Sequence, residues 1–135
     1  MRRLHLIIGL SMLVVFLVSG QVMAHHEPPV SSLGAETRLL FRSRHIYLLA
    51  GALVNVMAGI YLQLRPAGWR RRVQMVGSAL LLLAPVLLLA AFLSEPQHGL
   101  QEKMRFSMDG IVAMALGTLA HLLSGSPQGG SLAGQ

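Results

Sequence analysis

Long apolar runs alternate with short polar segments along this chain, and the runs are too continuous to be half-buried faces of soluble helices. Leu4 to Val18 is apolar apart from His5 and Ser11, Ile46 to Leu64 holds nineteen residues without a charge, and Val73 to Leu93 is dominated by leucine. A fourth segment, from about Phe106 to Leu123, has a fully apolar centre at Ile111–Ala120. At about 1.5 Å per residue, nineteen helical residues cover a hydrocarbon core of roughly 30 Å. The pattern predicts an all-α integral membrane protein, with three transmembrane helices at 46–64, 73–93 and 106–123. The third is short for the bilayer and needs tilt or local thinning.

The first apolar run reads differently. Met1-Arg2-Arg3 is a basic start, Leu4 to Val18 an apolar centre, and Val22-Met23-Ala24 ends on small residues at the positions signal peptidase requires. Residues 1–24 are therefore expected to be a cleaved signal peptide, leaving a three-helix bundle. An uncleaved helix from Leu4 to Ala24 is the alternative, and it makes the count four. Residues 25–45 are polar and rich in proline and arginine, which predicts an external tether. Within it, Leu39, Leu40 and Phe41 are placed to dip into the interface if 35–44 is a surface helix. Residues 124–135, rich in Gly and Ser, predict a disordered cytoplasmic tail.

Composition fits this class. Only 12% of the 135 residues are charged, against about 25% in an ordinary soluble domain, and the mean hydropathy is +0.60. A formal charge of +6 raises the question of nucleic acid. The basic residues, however, sit at the edges of apolar runs and form no stripe interleaved with aromatics, so no nucleic-acid partner is expected. Arg65, Arg70, Arg71 and Arg72 put four arginines into one eight-residue turn beside Trp69. Short loops of this kind stay in the cytoplasm. The expected location is a bacterial inner membrane, with residues 25–45 external and the C-terminus cytoplasmic. The absence of cysteine excludes disulfides, thiolate metal sites and Fe–S clusters.

Candidate chemistry is sparse. Gly51, Asn55 and Gly59 share one helical face, and so do Gly110, Ala113, Gly117 and His121. Small residues at this spacing let helix backbones approach, and a buried Asn can bond across the contact. The two faces are expected to meet each other. His25, His26, His45 and His98 gather on the external side. A chain beginning at His25 would offer an amine and a ring nitrogen to copper, whereas haem would need a second axial ligand. His45 and His121 belong to opposite ends of their helices, about 20 Å apart, and cannot share one iron within a bundle. Arg42 or Arg44 is expected to pair with Glu95 where adjacent helices end. No Asp, Glu, Lys or Arg lies at mid-span, and no catalytic triad, HExxH or phosphate loop is present. The leading expectation is a non-enzymatic accessory, assembly or structural subunit acting through helix packing with itself or a larger membrane protein. A metal or haem protein of the external face, using copper or haem, is the first alternative. A small oligomeric channel or carrier lined by Asn55, Gln63, Thr118 and His121 is the second.

Overall fold

The computed structural model describes residues 1–63, 66–98 and 105–125. Four helices carry the fold: α1 (Arg2–Ala24), α2 (Ala35–Tyr61), α3 (Trp69–His98) and α4 (Arg105–Ser124), with a 3-10 turn at Val30–Ser32 between the first two. All four are long and apolar enough to cross a membrane, and among the described residues there is no strand. They run up and down, so the start of α1, the end of α2, the start of α3 and the end of α4 share one end of the molecule. Arg2, Arg3, Arg70, Arg71 and Arg72 all lie there, and it is called the basic end below.

The packing is sequential. α1 lies against α2, α2 against α3, and α3 against α4, while α2 and α4 make little direct contact. Residues 1–24 thus pack as a fourth member of the bundle. Gly9 of α1 approaches α2 so closely that a Cβ there would meet the Ala52 carbonyl oxygen at 3.0 Å and the Val56 nitrogen at 2.7 Å.

α2 begins eleven residues before the apolar run. Gly34 precedes it and Glu36 occupies its first turn, where a carboxylate complements the helix dipole. Its 27 residues span about 40 Å, longer than the hydrocarbon core. Residues 35–45, expected as part of a tether with 35–44 as a candidate surface helix, instead form the first turns of the α2 rod. Of the three apolar residues expected to dip into the interface, only Leu39 points outward. Leu40 and Phe41 are buried, and Phe41 packs edge-on to Phe92 at 6.1 Å in a cluster with Val30, Leu48 and Leu88. Burying those two side chains in the bundle holds this segment upright.

The faces marked by Gly51–Gly59 and Gly110–His121 do not meet each other. α3 comes between them. A Cβ on Gly51 would meet Leu88 and Pro85 of α3, one on Gly59 would meet Leu6 of α1, and one on Gly110 would meet Leu88 of α3. α3 and α4 approach as closely as α1 and α2 do at Gly9 and Gly59. Between α3 and α4 the Gly77 and Gly117 backbones lie so close that a Cβ on either would come within 3.0 Å of the other's carbonyl oxygen. Ala113 is buried on the same face of α4. Small residues license close packing; which helix fills the space depends on the order of the bundle.

Candidate functional site

Proline 85 explains the most informative polar contact. It lies inside α3, fully buried, with its ring beside Gly51. A helical proline has no N–H, so the carbonyl four residues earlier, that of Leu81, loses its donor. Asn55 Nδ2 donates to that Leu81 oxygen at 2.8 Å and also to the Gly51 oxygen of its own helix at 2.9 Å. Gly51 and Asn55, one turn apart on α2, therefore form a seat for the proline of α3: one leaves room for the ring, the other replaces the missing hydrogen bond.

With both Nδ2 protons engaged, Asn55 offers only Oδ1 as an acceptor, and its neighbour's protonation follows. His5 Nδ1 lies 2.8 Å from Asn55 Oδ1, so Nδ1 carries the proton and Nε2 bears a lone pair. His5 is 0% exposed, and its Nε2 has no partner. Across the interior, His121 Nε2 lies 3.2 Å from the hydroxyl of buried Ser78, while its Nδ1 is buried and unpartnered. The two imidazoles are 6.4 Å apart, edge to face. This layer joins α1, α2, α3 and α4 near the basic end. His5 was hidden from sequence reasoning because it sits in an apolar run that reads as an export signal.

A second polar layer holds the opposite end. Arg44 Nε donates to Glu95 Oε2 at 2.7 Å, with both side chains buried (6% and 7% exposed). Glu95 Oε1 accepts from the backbone N–H of Ser107 in the first turn of α4 at 2.9 Å, where a carboxylate also meets the favourable end of the helix dipole. One carboxylate thereby fastens α2 and α4 to α3. His45 belongs to this end and turns toward α1, stacking on Phe16 at 4.1 Å. Its Nδ1 donates to Ser19 Oγ at 2.9 Å, since the serine proton goes to the Phe16 oxygen.

Among the described residues, the other histidines expected as metal ligands, His25 and His26, each turn to a backbone oxygen of their own segment. His25 Nδ1 is held by the Gln21 oxygen, and His26 Nδ1 by the Pro28 oxygen, with the His26 ring edge-on to Phe41. The side chain of His98 and the whole of Arg65 lie outside the described residues. Among the described residues no three His, Cys, Asp or Glu side chains form a metal-sized group. Arg70 sits over the Trp69 ring at 5.5 Å, and Arg71 and Arg72 are exposed at the basic end.

Because α2 and α4 do not close on each other, a cavity of about 600 Å³ lies between them. Leu81 and Gln74 of α3 form its buried floor, and Gln74 is tied to the Gln63 oxygen at 3.0 Å. Leu53, Met57 and Tyr61 line one wall, and Thr118, His121 and Leu122 the other. Asn55 is not part of the lining.

No protein-family profile matches this chain, and no curated protein or solved structure matches it either. Fold and site define its class: among the described residues, an all-helical bundle of four helices, each long and apolar enough to cross a membrane.

Proposed function

We propose that the protein is a multi-pass accessory, assembly or structural subunit of a bacterial inner membrane, and that it works by binding without catalysing a reaction. The reading rests on one observation: four buried polar residues, Asn55, Arg44, Glu95 and Ser107, are engaged in joining helices. The small-residue faces, too, are covered from within the bundle. What remains for another molecule is the outer surface, where large apolar side chains of all four helices are exposed. Partner contacts are therefore made by aliphatic ridges on the outer surface, and not by the glycine faces. Arginines collected at one end favour a cytoplasmic basic end under the positive-inside rule, which puts both termini inside. α1 is a resident helix in this reading, because its loss would strip Asn55 Oδ1, the Gly59 surface and His45 of their partners. Extraction in mild detergent tests the subunit role. A stoichiometric membrane partner or a defined oligomer is expected, and a monodisperse monomer with neither overturns it.

A second reading, a metal or haem protein, has a specific observation behind it, at a different place from the external histidines. Metal-bound histidines characteristically donate their second ring N–H to a fixed acceptor. His5 does this toward Asn55, and its free Nε2 shares the interior with the unpartnered Nδ1 of His121. Two nitrogens are fewer than a structural metal site normally supplies, which ranks this second. Metal analysis and an absorption spectrum of tag-free protein decide it: no stoichiometric copper and no Soret band remove it. A channel or carrier is left with Gln63, Thr118 and His121 at the cleft, while Asn55 lies apart from them.

A further inference from the structure

We propose that the cleft between α2 and α4 is a binding site for one anionic phospholipid, with an acyl chain in the groove and its phosphate held by Arg70 and Arg71. The groove follows α2 from Leu53 to Tyr61, a depth of about 12 Å at helical rise, and it ends among residues of the basic end. Its lining is mostly apolar, with Leu53, Met57, Leu81 and Leu122 around the space and Thr118 and His121 on the α4 wall. Gln74 marks the end of its floor. Arg70 and Arg71 precede Gln74 by four and three residues and so lie one turn beyond it on the same face of α3. A guanidinium fork matches phosphate oxygens in pairs. Trp69 and Tyr61, both exposed at this end, supply the amphipathic rings that settle at headgroup depth.

The choice of occupant follows from what a bilayer can and cannot reward. Lipid tails are as apolar as the groove, so an acyl chain gains no hydrophobic free energy by entering it. The groove selects a chain by shape and excludes nothing by chemistry. Discrimination must come from the headgroup, where each arginine near the surface contributes to the attraction of a negative lipid. Two arginines one turn beyond Gln74 on α3 predict a preference for phosphatidylglycerol over phosphatidylcholine of matched chains on the order of tenfold.

Native mass spectrometry of the delipidated full-length protein in detergent, titrated with phosphatidylglycerol or phosphatidylcholine of identical chains, tests this. One retained phosphatidylglycerol with that preference is expected. Arg70→Gln combined with Arg71→Gln should bring the two lipids to equal retention, with helicity by circular dichroism unchanged because both side chains lie at the surface. Thr118→Trp, which puts an indole into the groove from an exposed position, should reduce phosphatidylglycerol retention at least severalfold while leaving the arginines in place. Equal retention of the two lipids by the wild type overturns the proposal. So does undiminished binding by Thr118→Trp, which would mean a diffuse basic surface and no groove site. A lipid-free dimer as the main species overturns it as well and gives the cleft to a second copy of the chain.

Discussion

Asn55→Ala is the perturbation that most directly tests how this bundle is held together. The substitution leaves the Leu81 oxygen without a donor, because the residue four positions on is Pro85. It also leaves the Nδ1 proton of His5, a fully buried side chain, without an acceptor. An orphaned buried polar group costs about 1–3 kcal/mol. Hydrogen bonds between membrane helices average nearer 0.6 kcal/mol, because the separated helices find other partners. Two orphaned groups therefore place the loss at about 1–4 kcal/mol. The specific claim concerns the origin of that loss. Pro85→Ala returns an N–H to α3 within reach of the Leu81 oxygen, so in the Asn55→Ala background it should recover about 1 kcal/mol. In the wild type the same change gains nothing, since the oxygen is already bonded, and it loses the ring packed beside Gly51. Unfolding in mixed micelles across the four proteins gives the coupling. An isotope-labelled Leu81 carbonyl, read by its amide I frequency, reports the bond directly: weakened in Asn55→Ala and restored in the double variant. Additivity within about 0.3 kcal/mol, with an unmoved carbonyl band, would refute the claim that Asn55 substitutes for the proline's missing donor.

Three further outcomes follow from the packing. His5→Phe should destabilise the bundle by about 1 kcal/mol by orphaning Asn55 Oδ1, and an intact mass of membrane-extracted protein should include residues 1–24; a mass lacking them, with no effect of His5→Phe, would mean that α1 is removed. Glu95→Ala should cost about 3–5 kcal/mol by leaving Arg44 buried without its counter-ion, and hydrogen exchange should rise at Ser107, whose N–H the carboxylate accepts. Restoration of most of that loss by Arg44→Met in the same chain would identify the unpaired charge as its cause. Gly117→Ala should cost about 1–3 kcal/mol by overpacking, because the added carbon would lie 2.8 Å from the immobile Gly77 oxygen, whereas Gly34→Ala, with nothing within 4 Å, should stay within about 0.5 kcal/mol of neutral.

The class of this fold was already legible in the order of residues along the chain. Continuous apolar runs can satisfy their backbone polar groups within a helix, so the runs at 73–93 and 106–123 fall inside α3 and α4, and residues 46–61 of the first run form the later part of α2. The pairing of Arg44 with Glu95 was also legible, since both flank apolar runs on one side. What the pattern did not reveal is which helix each face would meet. Gly51, Asn55 and Gly59 announce that something approaches, but a glycine places no chemistry on its partner. Only the bundle order decides that Gly51 receives a proline of α3 and Gly59 a leucine of α1. The same holds for Leu40 and Phe41, whose burial turns an expected tether into the first turns of α2. His5 is the sharpest case. Along the chain it is one polar residue in an apolar run, and its role arises only when α1 lies against α2 and sets its ring beside Asn55, fifty residues away. Periodicity and hydropathy are local and survive in one dimension. A hydrogen bond between helices depends on the register and rotation of two separate rods, which only tertiary packing fixes.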